Sequence, residues 1–107
     1  MDLSVRFPDG ELVAEVRPNP ECPFAQDPES GSFVLGSFTP GPAFSRIRVA
    51  LAAFLAAFDA GDLSLASRLH EEIDSLGLVA TDSAGRAYRV WNVNFQEGGL
   101  LFNADPD

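Results

Sequence analysis

Apolar and polar residues alternate from the first positions of the chain. Leu3, Val5 and Phe7 interleave with Ser4 and Arg6, and beyond Pro8-Asp9-Gly10 the rhythm resumes with Leu12, Ala14 and Val16 set against Val13, Glu15 and Arg17. A period of two marks half-buried strands and Pro-Asp-Gly is turn chemistry, so the pattern predicts a hairpin. Prolines 18, 20, 23 and 28 then argue against any regular element and predict a long surface loop over 18–31, a connector pinned by Phe24. The segment SFVLGSF (32–38) reads as a third strand, ended by Thr-Pro-Gly-Pro.

The period then lengthens. A helix is predicted from about Pro42 or Ser45 to Asp59, where Gly61 suits a left-handed terminus and Asp62 can cap the next helix. That second helix, DLSLASRLHEEIDSLG (62–77), repeats apolar residues at three and four: Leu65 or Ala66, Leu69, Ile73, Leu76. Three more strands follow in LVAT, RAYRVWNVNF and LLFN, separated by DSAG and QEGG. The order is βββ-αα-βββ. Grouped strands and paired helices predict one α+β domain over 1–107, an antiparallel sheet of five or six strands with both helices on one face.

The stretch RVALAAFLAAF (48–58) is too short to span a membrane, which takes about 20 apolar residues, and its length is that of a buried core helix. Its wheel separates a bulky stripe (Ile47, Leu51, Phe54 or Leu55, Phe58) from a smooth one (Ala50, Ala53, Ala57, Ala60). The plain expectation is a helix covered on nearly every side by the sheet and the second helix, with Leu51, Leu55 and Phe58 in the core. A homodimer through part of the alanine face is the second reading.

Charge changes the picture most. Sixteen acids face seven arginines and no lysine, for a net charge of −9. Phosphate affinity is largely a Lys/Arg term, so this balance argues against nucleic acid and for a basic protein partner. No acid occurs between Ser30 and Phe58. One cysteine, Cys22, excludes an internal disulfide framework, and the chain opens without a secretory pattern, which predicts a cytoplasmic protein.

Catalytic chemistry is hard to assemble from what remains. His70 and Asp74 sit one helical turn apart, but no other histidine exists to complete a zinc site, so no metal and no cofactor is expected. Cys22 and His70 are the only thiolate–imidazole pair, and no spacing joins them. Gly36 to Arg46 lie between a strand and a helix start, where Ser37, Thr39 and Arg46 suggest an anion site without the spacing of a known phosphate loop. Strict alternation along YRVWNVNF sets Trp91, Val93 and Phe95 on one face and Tyr88, Val90, Asn92 and Asn94 on the other, a half-polar face that is either covered by the 18–31 loop or left for a partner.

Two functions compete. The first is a small acidic non-enzymatic interaction domain of inhibitor, immunity or regulatory-subunit type, docking a basic protein through Glu71, Glu72 and Asp74 with Tyr88 or Trp91 as anchors. The alternative is a small-molecule or anion-binding domain, an enzyme among its forms, with a pocket near 36–46.

Overall fold

The first hairpin forms where alternation and turn residues agree. In the computed structural model, which describes residues 2–19, 25–27, 31–96 and 99–106, β1 (Leu3–Arg6) pairs antiparallel with β2 (Leu12–Pro18). Asp9 holds the turn by accepting the Glu11 amide at 2.9 Å. The segment 18–31, expected to be loop throughout, departs from that where it is described: Pro18 ends β2, Gly31 opens β4 (Gly31–Pro40), and Ala25–Asp27 form β3, laddered to the start of β4. Those three residues lie between the prolines, so each keeps an amide to donate. Cys22 and Phe24 lie outside the described residues, as does the QEGG turn in part.

Helix α1 (Ser45–Asp59) and α2 (Leu63–Asp74) follow, then β5 (Val79–Thr81), β6 (Ala87–Gln96) and β7 (Gly99–Pro106). The turn between the helices is as its residues dictate. Gly61 has φ 76°, and the Asp62 carboxylate accepts the Leu65 amide at 3.1 Å.

The α+β arrangement of antiparallel strands and a packed helix pair is as expected, but the sheet closes. Its order is β2-β1-β5-β6-β7-β4, with β2 paired back onto β4 and β3 added outside on β4. In this ring β4 and β5 are three strands apart by either route, so the helical hairpin that joins them crosses from one side of the barrel to the other. Closure needs β4 to approach β2 tightly. A Cβ on Gly36 would overlap the backbone of Arg17 and Pro18, and one on Gly41 would lie 2.6 Å from the Leu12 carbonyl oxygen.

The interior is filled by side chains from every wall: Leu3, Val5, Val13, Val16, Val34, Ala80, Val90, Leu100 and Phe102 are all buried. From the helices, Phe44, Ile47, Leu51 and Ile73 join the same cluster. Phe44 meets Phe38 and Phe95 with ring centroids 5.3 and 6.1 Å away. Ala57 and Ala66 are buried outside that cluster, where α1 and α2 pack together.

Helix α1 is not covered on every side. Only its Ile47, Leu51 and Ala57 are buried; Leu55 is half-buried, and Phe58, expected in the core, is 58% exposed. The inward face ends as α1 leaves the barrel, so its last turn has only α2 to pack on. Ala52, Ala53, Ala56 and Ala60 are exposed, and Val49 is 74% exposed. No helix among the described residues is long and apolar enough to cross a membrane.

Replacing Gly36 with alanine is expected to destabilise the fold by about 1–3 kcal/mol or more, because the clash is with backbone that cannot swing away. Chemical denaturation of the variant measures this, and an unchanged midpoint would show that the strands can separate without loss. A second expectation concerns pH. Asp82 accepts the Arg86 and Ala84 amides at 2.9 and 3.0 Å and the Tyr88 hydroxyl at 3.2 Å. The Arg86 amide above all, helped by Tyr88, Ala84 and the Arg86 charge, holds its carboxyl below the ordinary value of 3.8. A carboxyl lowered by folding stabilises above its unfolded value and loses that contribution as the pH falls through the folded one. The melting-temperature deficit of Asp82→Ala is therefore expected to be full at neutral pH and to shrink below about pH 3.8.

Candidate functional site

Strand β6 carries an irregularity that decides where its side chains point. From Trp91 to Asn94 the strand advances three positions while its partner β7 advances two, from Asn103 to Leu101. One residue is therefore extra, a β-bulge, and Asn92 takes the positive φ of 58° that asparagine tolerates better than most residues. The bulge reverses the inward and outward faces. Tyr88 and Val90 point inward before it and Val93 after it, all three buried. Trp91 is thus not on one face with Val93 and Phe95, as strict alternation predicts; it is turned outward and half-buried.

Helix α2 clamps this bulge. Asp74 accepts the Asn92 amide at 2.7 Å, and the Asn92 side-chain amide donates to buried Asn103 at 2.9 Å. His70 stands on the same side of α2, its Nδ1 3.9 Å from Asp74 and its ring 5.2 Å from that of Phe54 on α1. Trp91 is held from the other flank: its indole N–H donates to Asp105 at 2.9 Å, and Arg89 reaches the same carboxylate oxygen at 3.3 Å. Asp74, Gly77, Arg89, Val90 and Trp91 together line a depression of about 210 Å³.

Of the residues the sequence singles out for docking, Asp74 and Trp91 are brought to this one depression. Glu71 and Glu72 are exposed on α2 with no ion-pair partner among the described residues. At about 100° per residue Glu71 lies about 60° around the helix from Asp74, whereas Glu72 lies about 160° away. Tyr88 is only 8% exposed and belongs to the core, because the hydroxyl bond to Asp82 and the inward side of β6 both draw it in.

The three residues read as an anion site are not assembled. Ser37 and Thr39 face a cavity of about 410 Å³ that they share with Asp2, Glu15, Val16, Arg17 and Phe38. Arg46 stands apart from it. Its guanidinium lies 3.8 Å over the Phe7 ring and bonds Glu11 at 2.9 Å and Asp9 at 3.3 Å, so it locks the β1–β2 turn onto α1. The cavity keeps one cation, Arg17, which pairs with Asp2 at 3.4 Å beside a second carboxylate, Glu15. That balance repels an anion. Among the described residues, no three His, Cys, Asp or Glu side chains gather where a metal ion would fit.

Asn92, Arg89, Asn103 and Asp105 complete the site, and none of them stands out in the sequence. The available signal is the pair of asparagines in WNVNF, since asparagine is depleted in regular strands and enriched where φ is positive. No protein-family model, curated protein or solved structure matches this chain.

Asp74→Ala leaves the part-buried Asn92 amide without its acceptor and is expected to cost about 1–3 kcal/mol. Amide exchange at Asn92 should accelerate more than the global loss of stability explains. Exchange that merely tracks global unfolding would show that the clamp does not hold the bulge.

Proposed function

We propose that this chain is a small acidic non-enzymatic interaction domain that docks a basic partner protein at the β6 bulge. The observation that supports this most is Trp91, which faces outward onto the same depression as Asp74, with Glu71 exposed about 60° around α2 from Asp74 and without an ion-pair partner among the described residues. An aromatic ring that shares a depression with Asp74 suits a Lys- or Arg-bearing segment. Arg89, 6.0 Å over the ring and 3.3 Å from Asp105, already makes the kind of contact a partner's cation would make, and Asp74 offers a charge-assisted hydrogen bond. Glu72, on the far side of α2, adds to the long-range field that steers a basic partner without touching the depression. The reading includes a cytoplasmic setting, on the strength of a single cysteine and no disulfide framework.

A small-molecule site is the second reading, and the 410 Å³ cavity at Ser37 and Thr39 is what favours it. It lacks the cation that Arg46 was to bring.

The two sets of docking residues should fail in different ways. Reversing Glu71 and Glu72 to Arg is expected to slow association and flatten its salt dependence while leaving dissociation nearly unchanged. Trp91→Ala should raise the dissociation rate by about tenfold or more, with Trp91→Phe recovering part of the loss. The measurement is binding kinetics with a partner recovered from native lysate, with thermal melts of each variant to confirm folding. A partner whose binding ignores all of these changes, or a stoichiometric small anion in the purified protein and no partner at all, would sink the docking reading.

A further inference from the structure

We propose that the outward face of α1 is a two-fold interface between two copies of this chain, packed as antiparallel helices. The face is an unbroken row. Ser45, Val49, Ala52 and Ala56 recur at spacings of four, three and four, with Ala53 and Ala60 beside them, and every one of these residues is exposed. Val49 is the extreme, 74% exposed. Small side chains at that spacing present a smooth surface on which a second helix can approach to the short end of the usual 8–10 Å axial separation.

Charge selects the occupant. Arg48 and Asp59 flank the row, both exposed, and neither has a partner among the described residues. They are eleven positions apart, about three full turns and ~16 Å, so they stand on the same side of the row and cannot reach one another within one chain. In an antiparallel pair related by a two-fold axis, the same side of each helix faces itself with its direction reversed. Arg48 of each copy then meets Asp59 of the other. The midpoint of Arg48 and Asp59 falls within about one residue, ~1.5 Å, of the midpoint of Val49–Ala56, so the register that pairs the charges is the one that stacks the apolar row.

The rest of the surface discourages any other self-contact. A chain of net charge −9 repels its copy over most orientations, and the stretch from Ser30 to Phe58 is the longest with no acid at all. The outer face of α1 is where two copies can meet without bringing carboxylates together. This interface is independent of the docking surface at the β6 bulge and stands or falls separately from it.

Sedimentation equilibrium of the purified chain from about 1 μM to about 500 μM tests this, because an interface at the small end of the size range is expected to associate with a micromolar Kd. Arg48→Glu and Asp59→Arg each place like charges opposite one another twice and are expected to weaken the dimer by about tenfold or more, and the double variant R48E/D59R to restore it. Both positions are solvent-exposed and unpaired, so the variants should fold, which their melting curves verify. A monomer throughout the concentration range, a dimer indifferent to either single reversal, or a double variant that stays dissociated would each overturn the proposal.

Discussion

Closure of the sheet rests on one missing side chain. At Gly36 the backbone of β4 comes so close to Arg17 and Pro18 of β2 that no Cβ fits between them, and it is the pairing of these two strands that turns an open sheet into a ring. Antiparallel sheets left open expose edge amides and carbonyls, whereas a closed one satisfies them and encloses its own core. Once the ring is shut, β4 and β5 are on opposite sides of it, and the chain between them passes across the barrel. The helical hairpin is that crossing, which is why Phe44, Ile47, Leu51 and Ile73 share a core with strand residues as distant as Val5 and Phe102.

The position of α2 follows from this path, and the candidate site follows from α2. Its C-terminal turn lies against β6, close enough for Asp74 to take the backbone amide that the bulge frees. A bulged residue at positive φ carries a conformational cost and persists where its surroundings over-determine it. Here two partners do so, a carboxylate from the helix and a buried amide from β7. The bulge in turn separates Trp91 from Val93, which it turns to the inward face. Trp91 faces outward by alternation from buried Tyr88 and Val90, and Asp105 fixes the indole.

This sequence of causes explains what could be read from the residues and what could not. Helix limits, the Asp62 cap, the glycine terminator at Gly61 and the burial of Leu51 and Ile73 are local or periodic matters, and local patterns state them directly. Ring closure is a contact between Arg17 and Gly36, and nothing near either residue announces the other. The face reversal in β6 hinges on one extra residue, and a period-two count over YRVWNVNF assigns every side chain after Asn92 to the wrong side. The fate of Arg46 is similar: a cation at a helix start invites an anion, but the fold supplies Glu11 and Asp9 from thirty-five and thirty-seven residues away. Helix α1 misleads for another reason. An apolar wheel shows that a surface avoids water without showing whether the shield is the same chain or a second one, and the exposure of Val49 and Phe58 separates those cases only once the fold is known.

The distribution of acids gives the molecule two kinds of surface with opposite consequences for association. Where α2 and β7 carry Glu71, Glu72, Asp74 and Asp105, the field opposes a second copy and favours a basic protein, since both effects have the same origin. On the outward face of α1 one cation, Arg48, and one anion, Asp59, flank a neutral row, while Arg46 is engaged by Glu11 and Asp9, so local charge there is balanced and short-range packing decides. The interval without acids, from Ser30 to Phe58, supplies β4 and nearly all of α1. In β4 only Val34 and Gly36 are buried among the residues whose burial is described, so burial accounts for part of the gap there. In α1 burial accounts for only the inward side of the helix, and the outward side is the surface we propose for contact between identical copies.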